Sequence, residues 1–500
     1  MTAAGGTAAA DDAATARLAT FDALLSPLGT ELLAAAAAAL ARGSELADGT
    51  RLRAAGHPPE LVAAAFGQAE LRSRAAAKFP AADQMFFTRP GLEQASSHRA
   101  AAHRAARFAG RGRLADLCTG IGGDLVALAA EHPVLAVDRD PLHLRMAVHN
   151  AEVADAVDPV SRSGVRERGR VEPCEADVRE VDLRGVDGVF VDPARRGGDQ
   201  RMATGTSEPP LGWCFALVDR VEAVAIKAAP GLRLDVVPPG WEIEFVADGR
   251  GLKESVLFAP ALGTAPRRAT VLLRNGEVAT LTGEPDGSGD GSGDRVSDRV
   301  SDRFGDVAGD ALTGGPAGGL PLRPPGPFIL DPSPAVTRAG LVGTLGRLVD
   351  GWQIDPRIAF LGVDRPVATP FARILRVEAE MAFDVRRVAA AVRAAGVSAL
   401  DVRRRGLAGD VEAIRRRLLP ARRHLVPHGP TMTVLMTRVR DAPWAILCTE
   451  LTAAQTGQVE APERAEGAAA ERAEVAEVAE VAAEGPTPAG DGPGPASAGR

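Results

Sequence analysis

The sequence predicts an α/β fold: a doubly wound parallel sheet, preceded by a helical region and followed by a second α/β unit. Three observations carry this. Short apolar runs alternate with helical periodicity from Arg113 to about Arg274. The early runs stop on aspartates followed by polar turns. A long Gly/Ser/Asp stretch then divides them from a further set of strands and helices.

Taken in order, residues 1–12 read as a disordered tail. Residues 13–109 are helical by pattern, Ala-rich with Leu and Phe at three- and four-residue spacing and no alternating strand. Within 110–282 the strand candidates are RLADLC, PVLAVD, GVFVD, EAVAIK, WEIEFV, ESVLFA and ATVLLR. Their near-continuous apolar character suits strands covered on both faces. Residues 283–321 form an acidic linker in which Asp recurs every fourth residue. A second α/β unit occupies 322–450, and the Ala/Glu/Pro-rich residues 451–500 read as a disordered acidic tail.

Composition narrows the function classes. Five hundred residues with 45% hydrophobic content can bury cores for two or three domains. The Ala-rich run from Leu32 to Ala41 is too short and too weakly apolar to span a bilayer, and the opening MTAAGGTAAADDAA lacks the basic and apolar parts of a secretion signal. Cys118, Cys174, Cys214 and Cys448 form no CxxC pair, so neither a disulfide framework nor a metal site is expected. The expected compartment is a reducing cytoplasm. Net charge is −7, but segment 284–310 carries −5 and the tail −6, which leaves the rest of the chain at +4. Residues 323–450 hold twenty Arg against twelve Asp and Glu, a balance that suits an anionic partner. Basic charge is almost wholly arginine, with Lys78, Lys227 and Lys253 the chain's three lysines.

The chemistry gathers at the strand ends. In LADLCTGIGGDLVALAA a strand runs through Asp116 to Cys118, a loop carries Gly120, Gly122 and Gly123, and a helix starts near Asp124. Glycines let backbone approach a ligand closely, and the helix start offers free N–H groups. The next strand, VLAVDRD, ends at Asp138, eighteen residues after Gly120, where such folds place a carboxylate against ribose hydroxyls. Asp177 and Val178 follow the third strand in CEADVRE, and Asp192 closes the fourth in GVFVDPARRGG. One strand-ending Asp is a common structural feature. Asp116, Asp138, Asp177 and Asp192 in succession outline a cleft along the sheet edge.

DLCTGIGGD, VLAVDRDP…AVHNAEV, ADV and VDPARR resemble the motifs of class I S-adenosylmethionine-dependent methyltransferases, which have a Rossmann-like sheet. The likeness is strongest to the trimethylguanosine synthase-like group of RNA guanine-N2 methyltransferases. In that group a helix precedes the Gly-rich strand, as SSHRAAAHRAARF (96–108) does here. DPSPAVTRAG, PFARILRV, DVRRRGLAGDVEAIRRRL and TMTVLMTRV resemble a THUMP-like domain attached to a bacterial branch of these enzymes. The resemblance implies that Asp116, Cys118, Gly120, Gly122 and Gly123 cradle the methionine part of S-adenosylmethionine. It further implies that Asp138 holds the ribose and Asp177 with Val178 the adenine. Asp192, Pro193, Ala194 and Arg195 occupy the place of the catalytic motif.

The motif departs from its relatives at one point. Enzymes of this kind that act on exocyclic base nitrogens carry Pro-Pro and an aromatic where this chain has Pro193, Ala194 and Arg195. Asp-Pro-x-Arg also resembles uridine C5 methyltransferases, but those need a cysteine after the next strand. VAIKAAPG has Lys227, Ala228 and Ala229 there. Phe86, Phe87 and Trp213 are candidates to stack on a base, though such residues usually fill cores. Lys227 could line the pocket or snorkel to the surface, and His103 reads as a helix-face residue. Arg403, Arg404, Arg405, Arg415, Arg416, Arg417, Arg422 and Arg423 with His424 form the expected RNA-contact patch, unless they are a solvated face. The reading is a cytoplasmic methyltransferase acting on RNA at a base nitrogen. A protein or small-molecule methyltransferase and a non-catalytic S-adenosylmethionine- or RNA-binding module are the alternatives.

Overall fold

The computed structural model describes residues 4–157, 171–194, 196–197, 200–201, 207–286, 319–407, 410–420, 425–440, 442–452 and 455. Most of the expected linker and tail, with Arg195, Arg422, Arg423 and His424, lie outside the described residues.

The helical region contains α1 (Ala4–Leu25), α2 (Pro27–Arg42), α3 (Glu45–Ala54), α4 (Pro59–Ala75), α5 (Arg89–Gln94) and α6 (His98–Ala105). Helix α1 starts at Ala4, within the stretch expected to be a disordered tail, because its alanine content favours helix. Starts and stops follow local chemistry. Ser26, Thr88 and Ser97 accept the N–H groups of Gly29, Gly91 and Ala100 at 3.1, 3.1 and 3.4 Å. Gly43 ends α2 with φ of 67°. Phe21, Leu32, Val62, Phe79, Phe86 and Phe87 pack into one core with Ile121, Val126, Leu142 and Met146 of the following sheet region. The helices are therefore bonded by burial to the Gly-rich loop.

The first sheet strands are β1 (Leu114–Leu117), β2 (Val134–Asp138), β3 (Val171–Glu175) and β4 (Gly188–Val191). A two-residue pairing, β5 (Arg196–Gly197) with β6 (Gln200–Arg201), follows. Next come β7 (Val224–Ala228), β8 (Glu242–Asp248), β9 (Gly251–Phe258), β10 (Arg267–Leu272) and β11 (Val278–Gly283). The nine main strands run in the order β11-β10-β8-β9-β7-β4-β1-β2-β3. Strands β3, β2, β1, β4 and β7 are mutually parallel, and β9 is antiparallel to both of its neighbours. Helices α7 (Leu125–Ala129), α8 (Pro141–Val157) and α9 (Leu211–Ala216) lie between the strands in sequence. The chain leaves β1 for β2 on one side and returns to β4 on the other, so β1 borders the switch point where ligands enter such sheets. Pro173 is tolerated in β3 because that strand is at the sheet edge.

Residues 1–323, 330–361 and 369–373 form one compact unit, and 324–329, 362–368 and 374 onward form another. The crossings fall near β12 (Phe328–Pro332) and β14 (Leu361–Val363) and between residues 368 and 374, while β13 (Trp352–Gln353) lies within the first unit. Helices α10 (Pro334–Ala339) and α11 (Val342–Leu348) belong to the first unit, although their sequence was expected to fall in the second. Arg338 explains the placement of α10. Its guanidinium donates to the carbonyls of Pro230 and Leu232 at 3.1 and 2.8 Å and lies 5.4 Å from the Phe245 ring centre. The second unit contains β15 (Ala372–Ala382), α12 (Val385–Ala394), β16 (Ala399–Arg404), α13 (Val411–Leu418), β17 (Thr431–Val439) and β18 (Ala442–Glu450). Its strands order β15-β18-β17-β16. Val388, Ala389, Val392 and Leu418 turn the two helices onto that sheet.

Candidate active site

A cleft of about 320 Å³ opens at the carboxyl ends of the parallel strands. It is lined by Asp116, Cys118, Gly120, Gly123, Asp138, Asp177, Val178, Asp192 and Pro193, all read as site residues from the sequence. Gly122 sits behind this lining. Its φ is +85°, and a Cβ there would lie 2.9 Å from the Ala147 backbone of α8. Gly120 has φ of +54° and open space where a Cβ would go, so it leaves the cleft clear.

Each carboxylate has its own surroundings. Asp138 is fixed by two backbone N–H groups: Gly120 donates to Oδ2 at 2.8 Å and Asp140 to Oδ1 at 2.9 Å. Asp138 and the Gly-rich loop are thus one hydrogen-bonded piece. Asp177 accepts the Arg179 N–H at 2.9 Å and pairs with its guanidinium at 3.1 Å. Arg179 also reaches Glu208, and Ala194 and Glu208 exchange backbone hydrogen bonds of 2.8 and 2.9 Å. The segment after Pro193 is closed by that exchange.

Asp116 is buried. Thr119 donates to its Oδ2, while Oδ1 has no hydrogen-bond partner among the described residues. Burial pushes its carboxyl well above the usual range, and Asp124, Asp192 and Asp138 push it further. A buried acid in this state is satisfied by a cation or a strong donor.

Asp192 follows β4, with its side chain 29% exposed. Its Oδ2 accepts a hydrogen bond from Lys227 Nζ at 2.7 Å. Lys227, on β7, is 2% exposed and lies 3.7 Å from Asp124 Oδ2. Asp124 in turn receives Arg104 of α6 at 3.0 Å through Nε and again through Nη2, while Arg104 Nη1 reaches Glu254. Ser96 donates to Asp124 and Glu254 at 3.3 and 3.4 Å. Burial opposes ionisation of Asp124, but Arg104 and Lys227 outweigh it and hold its carboxyl below the ordinary value. A row of alternating charge therefore runs Glu254, Arg104, Asp124, Lys227, Asp192.

Several alternatives left open by the sequence are decided here. Phe86 and Phe87 are core residues. Phe86 stands edge-on to Phe21 with centroids 5.1 Å apart, and neither phenylalanine lines the cleft. Trp213 does not line it either. Lys227 does not snorkel, and His103 is not a free helix-face residue. It is 2.6 Å from Glu244 Oε1. Burial pushes the Cys214 thiol, which does not line the cleft, up to about 12, and burial also raises Cys118, which does, so both favour the thiol over the thiolate. Pro90, Gly91, Gln94 and Ala95 at α5 supply a wall that the sequence placed only generally, in the helical region. The Thr88 cap and Pro90 mark that turn in the sequence.

Residues 15–75 match the family model described as "Domain of unknown function (DUF8688)", and residues 372–450 match "THUMP domain-like". The second match is narrower than the 322–450 expected. Two curated relatives, each named an uncharacterized S-adenosylmethionine-dependent methyltransferase, come from the CDC 1551 and H37Rv strains of Mycobacterium tuberculosis. Each is 34% identical over 363 residues, covering 70% of this chain and 86% of the relative. The chain belongs to the S-adenosylmethionine-dependent methyltransferases. A crystal structure of a candidate methyltransferase from Porphyromonas gingivalis W83 shares the fold, with a TM-score of 0.57 and 18% identity over 79% of this chain and 92% of that one.

The methyltransferase cleft fits its cofactor. S-adenosylmethionine carries two positive centres, a sulfonium and an ammonium, and the cleft offers the unpartnered Oδ1 of Asp116 among several acids. Asp138 retains lone pairs that could accept hydroxyl donors of that cofactor, and Gly120 leaves room beside it. Enzyme membership also sets aside the reading as a non-catalytic module.

In the THUMP-like unit, Arg404, Arg416 and Arg417 are exposed, as are Arg386, Arg387 and Arg393 of α12. Arg403 pairs with Asp401 at 3.1 Å and Arg415 with Glu412 at 3.0 Å, so part of the expected patch is neutralised locally. The α12 arginines were absent from that patch. Helix α13 contacts α12, which enlarges the basic surface.

Proposed function

We propose that this methyltransferase modifies RNA at a base nitrogen. The observation that carries the reading is Asp192: it ends β4 in the cleft, one oxygen is held by Lys227, and Oδ1 has no partner among the described residues. S-adenosylmethionine brings a methyl group already activated on sulfur, so the protein's part is alignment of the acceptor. Asp192 accepts an N–H of the acceptor nitrogen, which turns the nitrogen lone pair toward the methyl and receives the departing proton. Backbone around Pro193 and Ala194, closed by the pairing with Glu208, borders the acceptor's entry.

The likeness to trimethylguanosine synthase-like enzymes supports an exocyclic amine as the target. The exposed arginines of α12 and α13 support a polyanion as its carrier, by neutralising phosphates. The test mixes purified protein and radiolabelled S-adenosylmethionine with total RNA, and separately with protein extract, from cells lacking the gene. Label entering an RNA species is expected, and nucleoside analysis then locates the atom. Label in protein alone overturns the RNA assignment.

A further inference from the structure

Behind Asp192 runs a row of paired charges, of which Asp124 and Asp192 line the cleft while Glu254, Arg104 and Lys227 lie buried behind it. Burying four ionised groups, Glu254, Arg104, Asp124 and Lys227, is costly unless each is paired. Here each pairing is supplied from a different element. Glu254 comes from β9, Arg104 from α6, Asp124 from the start of α7, Lys227 from β7 and Asp192 from the end of β4. The row ends at Asp192, whose side chain is 29% exposed in the cleft.

Lysine at position 227 is itself informative. This chain has 58 basic Lys and Arg residues, of which Lys78, Lys227 and Lys253 are the lysines. Where the composition so strongly favours arginine, a lysine in a buried strand points to a need for a compact ammonium. Lys227 sits 2.7 Å from Asp192 and 3.7 Å from Asp124, a gap suited to a point charge and not to a planar fork. Lys78 serves the same neighbourhood. Its Nζ donates to the carbonyls of Leu92 and Ala95 at 2.7 and 2.9 Å, anchoring the wall formed by α5.

We propose that Lys227 is a positioning residue for methyl transfer: clamped by Asp124, it pins Oδ2 of Asp192 and so presents Oδ1 to the acceptor nitrogen. The proposal rests on Asp192 being the group that orients that nitrogen. Arg104 and Glu254 hold Asp124 from behind, which ties the helical region to the reacting position. Without Lys227, Asp192 keeps its place in the chain but loses the partner that selects one rotamer. A misdirected oxygen costs alignment, and misalignment of about an ångström costs on the order of a hundredfold in rate.

The test uses the full chain as wild type, Lys227→Met and Lys227→Arg. Met keeps most of the side-chain volume without the charge, and Arg restores charge in a shape that fits less well. Three readings are taken: crystal structures with S-adenosylmethionine bound, cofactor affinity by calorimetry, and the initial rate of methyl transfer to the RNA or protein fraction that wild type labels. Lys227→Met is expected to reorient or split the Asp192 side chain, lower turnover about a hundredfold, and leave cofactor affinity within about threefold. Lys227→Arg is expected to recover part of the turnover. An unmoved Asp192 in Lys227→Met overturns the proposal, and so does an unchanged rate. If wild type labels protein and not RNA, the proposed substrate fails, while the rates and the Asp192 rotamer still decide the role of Lys227. If wild type labels neither fraction, the rotamer alone decides it.

Discussion

Arg104 offers the sharpest test of what holds this site together. It is 1% exposed and touches two buried acids, Asp124 and Glu254. Arg104→Met keeps much of the volume and removes the cation. Asp124 then retains Lys227 at 3.7 Å and Ser96 at 3.3 Å, while Glu254 retains the Ser96 contact at 3.4 Å. Removing one side of a buried ion pair costs about 3–5 kcal/mol, because the remaining charge stays desolvated. We expect a loss of about 4 kcal/mol at pH 7. The pH dependence has a definite sign. In the wild type, Asp124 lies below its ordinary value of 3.8, so its contribution is present above that pH and fades as the solution is acidified. In the variant, burial acts without the guanidinium and favours the protonated acid, so stability falls as pH rises. The gap between the two proteins should therefore widen from pH 4 to pH 7. Urea unfolding followed by tryptophan fluorescence measures it, since Trp213, Trp241 and Trp352 belong to the same compact unit. A loss below about 1 kcal/mol at pH 7, or a gap that narrows with rising pH, would refute the reasoning.

Four further outcomes follow from particular contacts. Asn150 accepts the Phe86 N–H at 2.8 Å and donates to the carbonyls of Phe86 and Ile121 at 2.9 Å each; Asn150→Leu leaves these buried groups unmatched and should cost about 3 kcal/mol by urea titration. Gly122→Ala, with its Cβ against Ala147, should lower stability by about 1–3 kcal/mol, whereas Gly120→Ala, strained by its φ of +54° alone, should cost about 1 kcal/mol and weaken S-adenosylmethionine binding in calorimetry. Burial opposes ionisation of Glu244, but His103, Thr270 and Arg268 hold it at about 2; its stabilisation is present above the ordinary 4.5 and is lost toward pH 2, so in urea titrations His103→Leu should cost stability above pH 4.5 and little near pH 2. Reversing the charge of Arg415, Arg416 and Arg417 should weaken RNA binding and flatten its dependence on salt. Gel-shift titrations at several salt concentrations check this, and unchanged slopes would mark the patch as a solvated face.

The sequence by itself determined the order of strands and helices and the acids that end them. That information is local: an apolar run makes a buried strand, and the polar residue after it falls at the sheet edge. Asp116, Asp138, Asp177 and Asp192 could be placed on one cleft because parallel connection returns every strand in the same direction. Edge strand β11 was not read, since VATLTG is short and only half buried. Tertiary structure alone decided which partners those acids have. Lys227 is 35 residues from Asp192, and Arg104 is 150 residues from Glu254. Nothing in a window of sequence distinguishes a lysine that snorkels from one clamped between two carboxylates, or an aromatic in a cleft from one in a core. Those outcomes depend on what the other strands and helices bring to the same point, because the cost of burying a charge or a ring is set by its neighbours in space.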